Sequence, residues 1–459
     1  MWSPELSGQV GAKSQAIVSA LSQDIESGQL KAGTRLPTHR ELADKLGVAI
    51  GTVTRAYALA QRRGLISGEV GRGTFVGASG VAAARAETVA EPAIVDLSRN
   101  LLIRDAREVK LVETLASIRD QTEFGQLLDC YQTAAGAERH RRAAAAWIGR
   151  AGFPVSFAQT LICSGAQHAT SVALATLLEP GDTLLTEHVT YPGIKALATL
   201  LRLQLRGLPV DSAGLQPEAF EAACRAGRVK ALYCVPTLHN PTASIMPEDR
   251  RREIARIARE YDVVIIEDDV YGFLPHDAPL PIAAHAPEQT YYITSTSKSI
   301  APGLRIGYMV APAEAFERLS TTIRTTTWEA APLMAELVTK WIEDGTADAT
   351  VRWKRSETQA RQSLATGILG DFYEAPPHVS CHIWLQLPEP WRSADFAAQA
   401  QKRGVIVTPS EAFVVGRGAS PHAVRVCLGS PRRRLQLERG LQILSELLQS
   451  SPEPALTVT

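Results

Sequence analysis

The chain has 459 residues, more than one ordinary domain needs, so two or three folded units are expected. With 45% hydrophobic and 21% charged residues, it has the composition of a soluble globular protein with an ample core. The formal net charge is zero, and the excess of nine Lys/Arg over six Asp/Glu in residues 1–78 is too small to indicate nucleic-acid binding by itself.

The cysteines and the apolar segments exclude several other classes of protein. Six cysteines are scattered without any Cys-x-x-Cys pair, which fits a reduced cytosolic protein and argues against a disulfide framework or a zinc site. The N-terminus lacks a basic-then-apolar signal, and no apolar run approaches the length of a membrane span. We therefore expect a cytoplasmic protein without a bound metal or a membrane partner.

The first eighty residues predict a small helical unit that ends in a hairpin. Thr38 and Glu41 have the spacing of a capping box at the start of the second helix, and a glycine-rich tip separates two short strands. The predicted helices are 13–27, 40–46 and 52–62, and the predicted strands are 65–67 and 74–76. This order is typical of a winged helix-turn-helix.

Residues 10–77 resemble the GntR family of bacterial repressors in four motifs: Leu-Pro-x-x-Arg-x-Leu-Ala-x-x-Leu-Gly-Val, Thr-Val-x-x-Ala-Tyr, Gly-Leu-Ile and Gly-x-Gly-Thr-Phe-Val. The resemblance implies that Arg40 contacts DNA phosphates and that Thr52 and Thr54 enter the major groove. It places Gly71 and Arg72, at the wing tip, in the minor groove. The competing interpretation is a wing used for protein packing.

One departure from the GntR pattern affects the DNA contacts. The family commonly carries a Ser/Thr-Arg pair just after Gly-Val, whereas this chain has Ala49-Ile50-Gly51. The missing arginine removes one strong base or phosphate contact, so the operator need not follow the family pattern.

Residues 78–93 are rich in small residues, lack apolar periodicity and end near a proline, which predicts a linker. From 94 to about 450, short β-branched runs alternate with helical segments, which indicates an α/β domain with a mostly parallel sheet and a ligand at the strands' carboxyl ends. A long helix is expected after about 315, and a smaller α/β unit over about 330–450. The predicted strands are 161–163, 183–186, 229–235, 263–266, 291–294 and 306–310, then 382–387, 405–407 and 424–427.

The most informative stretch surrounds Lys298. Ser295, Ser297 and Ser299 flank this lysine at the end of a buried-strand pattern, and Pro302-Gly303 and Arg305 follow. A lysine amine can condense with an aldehyde, while hydroxyls and an arginine can hold a phosphate. Pyridoxal phosphate carries both groups. The stretch resembles the cofactor-lysine segment of type I aminotransferases, Ser-x-Ser-Lys followed by Pro-Gly-x-Arg-x-Gly.

The aminotransferase resemblance implies further cofactor residues, each placed just after a predicted strand. It assigns Asp268 to the pyridine nitrogen, although Asp269 could take this role by a one-residue slip. The position of Arg425 matches the arginine that clamps a substrate's α-carboxylate. The implied phosphate ligands are Ser164, Gly165, Ala166, Gln167, Ser295, Ser297 and Arg305; Tyr191 would stack on the ring, and Asn240 and Tyr271 would bind its phenolic oxygen.

Together, the two segments resemble the MocR subfamily of GntR-type transcriptional regulators. The resemblance implies a head-to-tail homodimer that binds operator DNA and holds pyridoxal 5′-phosphate on Lys298. The cofactor, alone or condensed with a small amino compound, would then bias the arrangement of the DNA-binding domains. Two alternatives remain open: an active aminotransferase with an appended DNA-binding domain, and a sensor of the cofactor alone.

Overall fold

The computed structural model divides into two units, Met1–Ala93 and Ile94–Thr459. It describes Trp2, Pro4 and residues 13–26, 30–31, 33–62, 65–69, 73–76, 94–101, 103, 108–120, 124–150, 152–376 and 378–451. The predicted linker, 78–93, lies outside the described residues, as do Gly71 and Arg72 of the predicted wing tip.

The first unit is a winged helix-turn-helix, as predicted. Its elements are α1 Lys13–Glu26, α2 His39–Leu46, α3 Ile50–Arg62, β1 Ile66–Glu69 and β2 Gly73–Val76, with the two strands antiparallel. The capping box is present at α2, where the Thr38 backbone N–H donates to the Glu41 carboxylate at 2.8 Å. Gly47 ends α2 with a φ of 61°, a left-handed conformation that favours glycine and lets the chain turn into α3.

The strands of the second unit form one large sheet and several small ones. They are β3 Val95–Asp96, β4 Thr160–Cys163, β5 Thr183–Glu187, β6 Gln204–Leu208, β7 Val210–Asp211, β8 Gly214–Leu215, β9 Val229–Cys234, β10 Val264–Asp268, β11 Thr290–Ser295, β12 Gly307–Val310, β13 His382–Gln386, β14 Val405–Ile406, β15 Thr408–Pro409 and β16 Ala423–Cys427. The large sheet has the order β4-β12-β11-β10-β9-β5-β6, and only β12 runs antiparallel to its neighbours. This confirms the predicted α/β class with a mostly parallel sheet.

Helices pack against the strands of the second unit. They include α4 Glu108–Arg119, α5 Phe124–Asp129, α6 Glu138–Gly149, α7 Ala166–Leu177, α8 Pro192–Leu200, α9 Pro217–Arg225, α10 Glu248–Glu260, α11 Ile282–His285, α12 Thr296–Ser299, α13 Phe316–Thr327, α14 Pro332–Glu343, α15 Thr346–Leu369, α16 Ser393–Lys402 and α17 Arg434–Leu448. Strands β10 and β11 are buried almost completely, because helices cover a parallel sheet on both faces.

A second, antiparallel sheet with the order β13-β16-β15 forms near the C-terminus. Its apolar face packs with Phe396 of α16 and Leu441 of α17 into a separate core. Strand β3 pairs with β14 in parallel, so the start of this unit joins the same region.

Two details of the sequence prediction are wrong. The long helix expected after about 315 is three helices, because Trp328 adopts a φ of 69°, Pro332 starts a new helix and Gly345 has a φ of 80°. Strand β6 was not predicted, because it is a partly exposed strand at the sheet's edge and lacks a long apolar run.

All six cysteines are free thiols. Within the described ranges, none of the helices combines the length and the apolar character required to cross a membrane.

Candidate functional site

A cavity of about 600 Å³ opens at the carboxyl ends of the central strands. All the predicted cofactor residues line it except Ser164 and Gly165, and the predicted effector arginine Arg425 lines it too. The cofactor residues that line it are Ala166, Gln167, Tyr191, Asn240, Asp268, Tyr271, Ser295, Ser297, Lys298 and Arg305. Parallel strands present their carboxyl ends at one edge of a sheet, which is why residues far apart in the chain meet here.

Lys298 lies on the short helix α12, directly after the buried strand β11. The Ser295 hydroxyl caps this helix by accepting from the Ser297 N–H at 3.3 Å. The Lys298 amine donates to the backbone carbonyl of Asn100. Burial lowers the pKa of Lys298 below its usual value, which favours the neutral, nucleophilic amine.

Asp268 ends β10 and is buried in the cavity wall. One carboxylate oxygen, Oδ2, accepts from the Tyr233 hydroxyl at 2.7 Å, whereas Oδ1 has no hydrogen-bond partner among the described residues. Burial raises the pKa of Asp268 to about 6, although the Tyr233 hydroxyl opposes the rise. A buried, half-satisfied carboxylate of this kind is costly unless a ligand donates to it.

Asp269, the alternative to Asp268, points to a different set of partners. Its Oδ2 accepts from the Tyr292 hydroxyl at 2.9 Å, and it does not line the cavity. The alternation of side chains along an extended strand puts neighbouring residues on opposite faces. Asp268 is therefore the carboxylate that a ligand in the cavity would meet.

At the end of the cavity opposite Asp268, the guanidinium of Arg305 lies close to the backbone of Gly165. Gly165 precedes α7 with a φ of 91°, and a methyl group there would lie 2.7 Å from Arg305 Nη2. A methyl group at Gly307 would lie 2.5 Å from the Gly165 carbonyl carbon. Glycine is thus required at both positions, and it brings Arg305 to the N-terminus of α7, where helix N–H groups lack intrahelical acceptors.

Ser164 contributes backbone groups to this end, although it does not line the cavity. Its N–H donates to Nδ1 of His168 at 3.1 Å, and its carbonyl accepts from Arg305 Nη2 at 3.4 Å. Ser164 therefore helps to orient the arginine.

Aromatic and amide groups complete the wall between the two ends. The Tyr191 hydroxyl donates to the Gln167 side chain at 3.1 Å, which fixes the tyrosine ring beside the start of α7. The Tyr271 hydroxyl accepts from the Asn100 side chain at 2.8 Å. Both rings are thereby held in place at the cavity.

Arg425 extends from β16 and joins the second sheet to the cavity. Its Nη1 donates to Asn240 Oδ1 at 2.7 Å, and its Nη2 donates to the Ser98 carbonyl at 2.7 Å. The guanidinium carbon lies 4.8 Å from the centre of the Phe413 ring. Its buried Nε has no hydrogen-bond partner among the described residues, so one N–H is available for a ligand.

The predicted DNA-binding residues of the first unit that the structure describes lie on α2 and α3. Arg40 and Thr54 are exposed, and Thr52 is partly exposed. The Thr54 hydroxyl donates to the Ile50 carbonyl at 3.1 Å and lies 3.2 Å from Nδ1 of His39. Thr54 and His39 therefore belong to the same surface.

The sequence did not predict several residues at these two sites. Asn100 and Tyr233 contact Tyr271 and Asp268, but neither lies in a recognisable motif. Arg35 was missed as well, and its Nε would lie 3.1 Å from a methyl group at Gly73 in the hairpin. A strand tyrosine facing a buried aspartate is the one signal that could have identified Tyr233.

The chain matches two protein families. Residues 92–442 match "Aminotransferase class I and II", and residues 13–76 match "Bacterial regulatory proteins, gntR family". These matches confirm the predicted fold of both parts and the resemblance drawn from their motifs.

Two relatives match this chain over almost their whole length. YdeF, an HTH-type transcriptional regulator of Bacillus subtilis (strain 168), is 33% identical over 97% of this chain and 96% of its own. TauR, an HTH-type transcriptional regulator of Rhodobacter capsulatus, is 27% identical over 88% of this chain and 90% of its own. Kynurenine aminotransferase of Pyrococcus horikoshii has the same fold, with a TM-score of 0.71, 24% identity, and coverage of 80% of this chain and 93% of that one.

The cavity fits pyridoxal 5′-phosphate, the cofactor of this aminotransferase fold. It offers a lysine amine for the aldehyde, a carboxylate oxygen of Asp268 that has no partner among the described residues for the ring nitrogen, and a glycine-lined helix start with Arg305 for the phosphate. The chain belongs to the aminotransferase class I and II family and, with its GntR domain and its full-length relatives, to the pyridoxal-phosphate-dependent HTH-type transcriptional regulators of MocR architecture.

Proposed function

We propose that this regulator binds operator DNA through its winged helix and senses pyridoxal phosphate, alone or with a small amino compound, in the cavity of its large unit. The observation that carries the proposal is that Lys298, Asp268 and Arg425 line one cavity in a chain that also carries a GntR domain. Pyridoxal phosphate supplies an aldehyde that condenses with amines and a ring that accepts electrons.

Lys298 is the residue that holds the cofactor covalently. Burial lowers the pKa of Lys298, which favours the neutral amine, and the hydrogen bond of this amine to the Asn100 carbonyl orients it in the cavity wall. A free amine of an effector would compete with Lys298 for the same carbon, so the occupancy of the cavity can report on the amine.

Asp268 binds the protonated ring nitrogen through its unpartnered oxygen, while Tyr233 holds the other oxygen. The pairing compensates the cost of burying the carboxylate. At the opposite end, Ser295, Ser297, Arg305 and the start of α7 hold the phosphate, with Gly165 allowing the close approach.

Residues in the cavity wall between Asp268 and Arg305 contact the face and the edge of the cofactor's pyridine ring. Tyr191 stacks on the ring, and Asn240 and Tyr271 bind its phenolic oxygen. Their contacts to Gln167, Arg425 and Asn100 support these roles, because each fixes the group beside the cavity.

Arg425 recognises the carboxylate of an amino-acid effector. Its Nε is buried without a partner in the described part of the chain, and its Nη1 already contacts Asn240, which faces the cofactor. A carboxylate at Arg425 would therefore be sensed beside the ring.

The DNA contacts belong to α2, α3 and the wing. Arg40 binds phosphate, Thr52 and Thr54 face the major groove, and Gly71 and Arg72 reach the minor groove. The exposure of Arg40 and Thr54 supports this arrangement, and Ile50, which is 47% exposed at the start of α3, offers an apolar contact to bases where the GntR pattern has a polar pair.

The regulator acts in the cytoplasm, where its DNA is, as a head-to-tail homodimer. An exposed aromatic pair in the large unit supports self-association: Tyr131 is 80% and Trp328 50% exposed, with ring centres 5.1 Å apart. Large exposed aromatic groups of this kind are typical of protein interfaces.

A second candidate function is transamination, which the presence of Lys298, Asp268 and Arg425 in one cavity favours. Steady-state turnover of amino acids with 2-oxo acids separates the two. Rapid turnover by a protein that shows no sequence-specific DNA binding would favour the enzyme and overturn the regulator.

The variant Lys298→Ala should lose covalent attachment of the cofactor, because the amine that reacts with the aldehyde is removed. Borohydride reduction followed by peptide mass spectrometry should locate the cofactor on Lys298 in the wild type and nowhere in the variant. Lys230→Ala, which removes an exposed lysine from β9, is the matched control and should behave like the wild type. Cofactor trapped on another lysine of Lys298→Ala would refute the assignment.

The variant Asp268→Asn should change how the stability of the cofactor-free protein depends on pH. The folded-state pKa of about 6 exceeds the ordinary value of 3.8, so the folded state retains a proton that the unfolded chain releases. Stability contributed by Asp268 is therefore lost as pH rises from about 4 through about 6, by up to about 3 kcal/mol. Denaturant unfolding at pH 4 and pH 7 should show a loss that is up to about 3 kcal/mol larger in the wild type and in Asp277→Asn, an exposed control, than in Asp268→Asn, because burial also raises the pKa of Glu267 to about 7 and this adds to the loss in all three proteins.

The variant Arg40→Ala should weaken operator binding and lower the slope of log affinity against log salt by about one unit, because one phosphate contact is lost. Lys45→Ala removes the same charge from the other end of α2 and should leave the slope close to that of the wild type. Fluorescence anisotropy with an operator selected in vitro measures both. An unchanged slope in Arg40→Ala would remove this residue from the interface.

The variant Arg425→Ala should keep its affinity for simple amines and lose affinity for amines that also carry a carboxylate. Titration of the cofactor's absorbance should show affinity for L-alanine falling by at least about tenfold, since a charge-assisted hydrogen bond is lost, while affinity for ethylamine stays the same. Arg432→Ala, an exposed arginine after β16, is the control. Equal losses for both ligands would contradict a role in carboxylate recognition.

A further inference from the structure

Helix α15 carries three cations whose side chains bind backbone carbonyls rather than bulk water. Lys354 contacts the turn that bears Lys298, Arg355 contacts Phe273 and Leu274, and Arg361 contacts the segment after β16. One helix therefore contacts three segments, which follow strands β10, β11 and β16 in the chain.

Lys354 makes the contact nearest to the cofactor lysine. Its Nζ donates to the Ile300 carbonyl at 2.6 Å and to the carbonyl of Lys298 itself at 3.3 Å. These two carbonyls lie at the C-terminal end of α12, where a helix leaves carbonyl groups without intrahelical donors. Lys354 thus supplies donors that the turn does not provide for itself.

Lys354 is also in an unusual environment for a lysine. Only 2% of it is exposed, and it lies in the buried stripe of α15 between Val351 and Thr358. Lysine is seldom buried to this extent unless it is paired, so its carbonyl contacts offset a large cost of desolvation. An apolar side chain would fill such a position at lower cost if packing were all that the site required.

Arg361 lies seven residues further along the same stripe, about 10 Å away along the helix axis. It is 1% exposed and donates to the carbonyls of Leu428 at 2.9 Å and Pro431 at 2.6 Å. Leu428 follows β16, the strand of Arg425. The cofactor-lysine turn and the backbone behind Arg425 are therefore attached to one rigid helix.

We propose that Lys354 is a positioning residue for Lys298: by binding the carbonyls of Lys298 and Ile300, it fixes the cofactor-lysine turn to the helix that also anchors the strand of Arg425. The proposal deepens the proposed sensing function and rests on Lys298 as the cofactor residue. It implies that a displacement of the Arg425 strand by an effector reaches Lys298 through α15.

The test uses three variants of the full-length protein. Lys354→Met removes the donors and keeps the length of the side chain, Lys354→Arg keeps a cation, and Arg361→Met removes an equally buried cation from the same helix. Hydrogen exchange by mass spectrometry on cofactor-free protein follows residues 296–304 and, separately, residues 428–434.

Lys354→Met should accelerate exchange in 296–304 by at least about tenfold, the effect of losing one charge-assisted hydrogen bond, and leave 428–434 unchanged. Arg361→Met should do the reverse, and Lys354→Arg should restore exchange in 296–304 to within about threefold of the wild type. In protein loaded with pyridoxal phosphate, the pH midpoint of the cofactor's visible absorbance should shift in Lys354→Met and return in Lys354→Arg.

Equal acceleration of exchange across the whole large unit in Lys354→Met, or none in 296–304, would overturn the proposal in favour of a purely structural lysine. If Lys354→Met does not fold, Lys354→Gln carries the same comparison, because its shorter amide cannot reach both carbonyls. The exchange experiment needs no cofactor, so its failure is distinct from that of the Lys298→Ala experiment, which tests the cofactor assignment.

Discussion

The burial of the Asp268 carboxylate is the main physical constraint on the cavity of the large unit. An aspartate in this position is expensive, because burial raises its pKa and only one of its oxygens has a partner in the described part of the chain. Asp268 ends β10, and the hydroxyl of Tyr233 on the neighbouring strand β9 donates a hydrogen bond to it, which offsets part of this cost. A ligand that donated a hydrogen bond to Oδ1 of Asp268, which has no partner among the described residues, would recover part of that cost.

Close packing of the backbone determines the structure of the opposite end of the cavity, where Arg305 lies. Gly165 and Gly307 leave no room for side chains between α7 and β12, and Arg305 takes a left-handed conformation to reach this gap. Small residues here do not merely permit a turn; they bring a helix start and a guanidinium to one point. The close approach of Arg305 to the start of α7 is therefore a consequence of backbone packing at Gly165 and Gly307.

The wall of the cavity also includes a residue from outside the parallel sheet. Arg425 comes from the antiparallel sheet near the C-terminus, yet it contacts Asn240 at the cofactor site. Helix α15 contacts the backbone on both sides through Lys354 and Arg361. Helix α15 therefore connects the turn that bears Lys298 with the backbone that follows the strand of Arg425.

Part of the fold and of the candidate site could be predicted from the amino-acid sequence, because some features depend only on residues that are close together in the chain. The capping box at Thr38 and the buried strands of the large sheet depend on neighbours within a few positions, so residue spacing predicted them. The residues around Lys298 were predicted from their chemistry and from the resemblance of this stretch to type I aminotransferases. Asn100, Tyr233, Lys354 and the division of the helical region after residue 315 were not predicted. Asn100, Tyr233 and Lys354 act on partners 35 to 198 residues away, and a helix break depends on backbone angles that the pattern does not encode. The sequence determined the two domain types and the cofactor chemistry, whereas only the tertiary structure decided which buried groups hold the cofactor residues in place, because contacts between distant segments arise from packing and not from spacing.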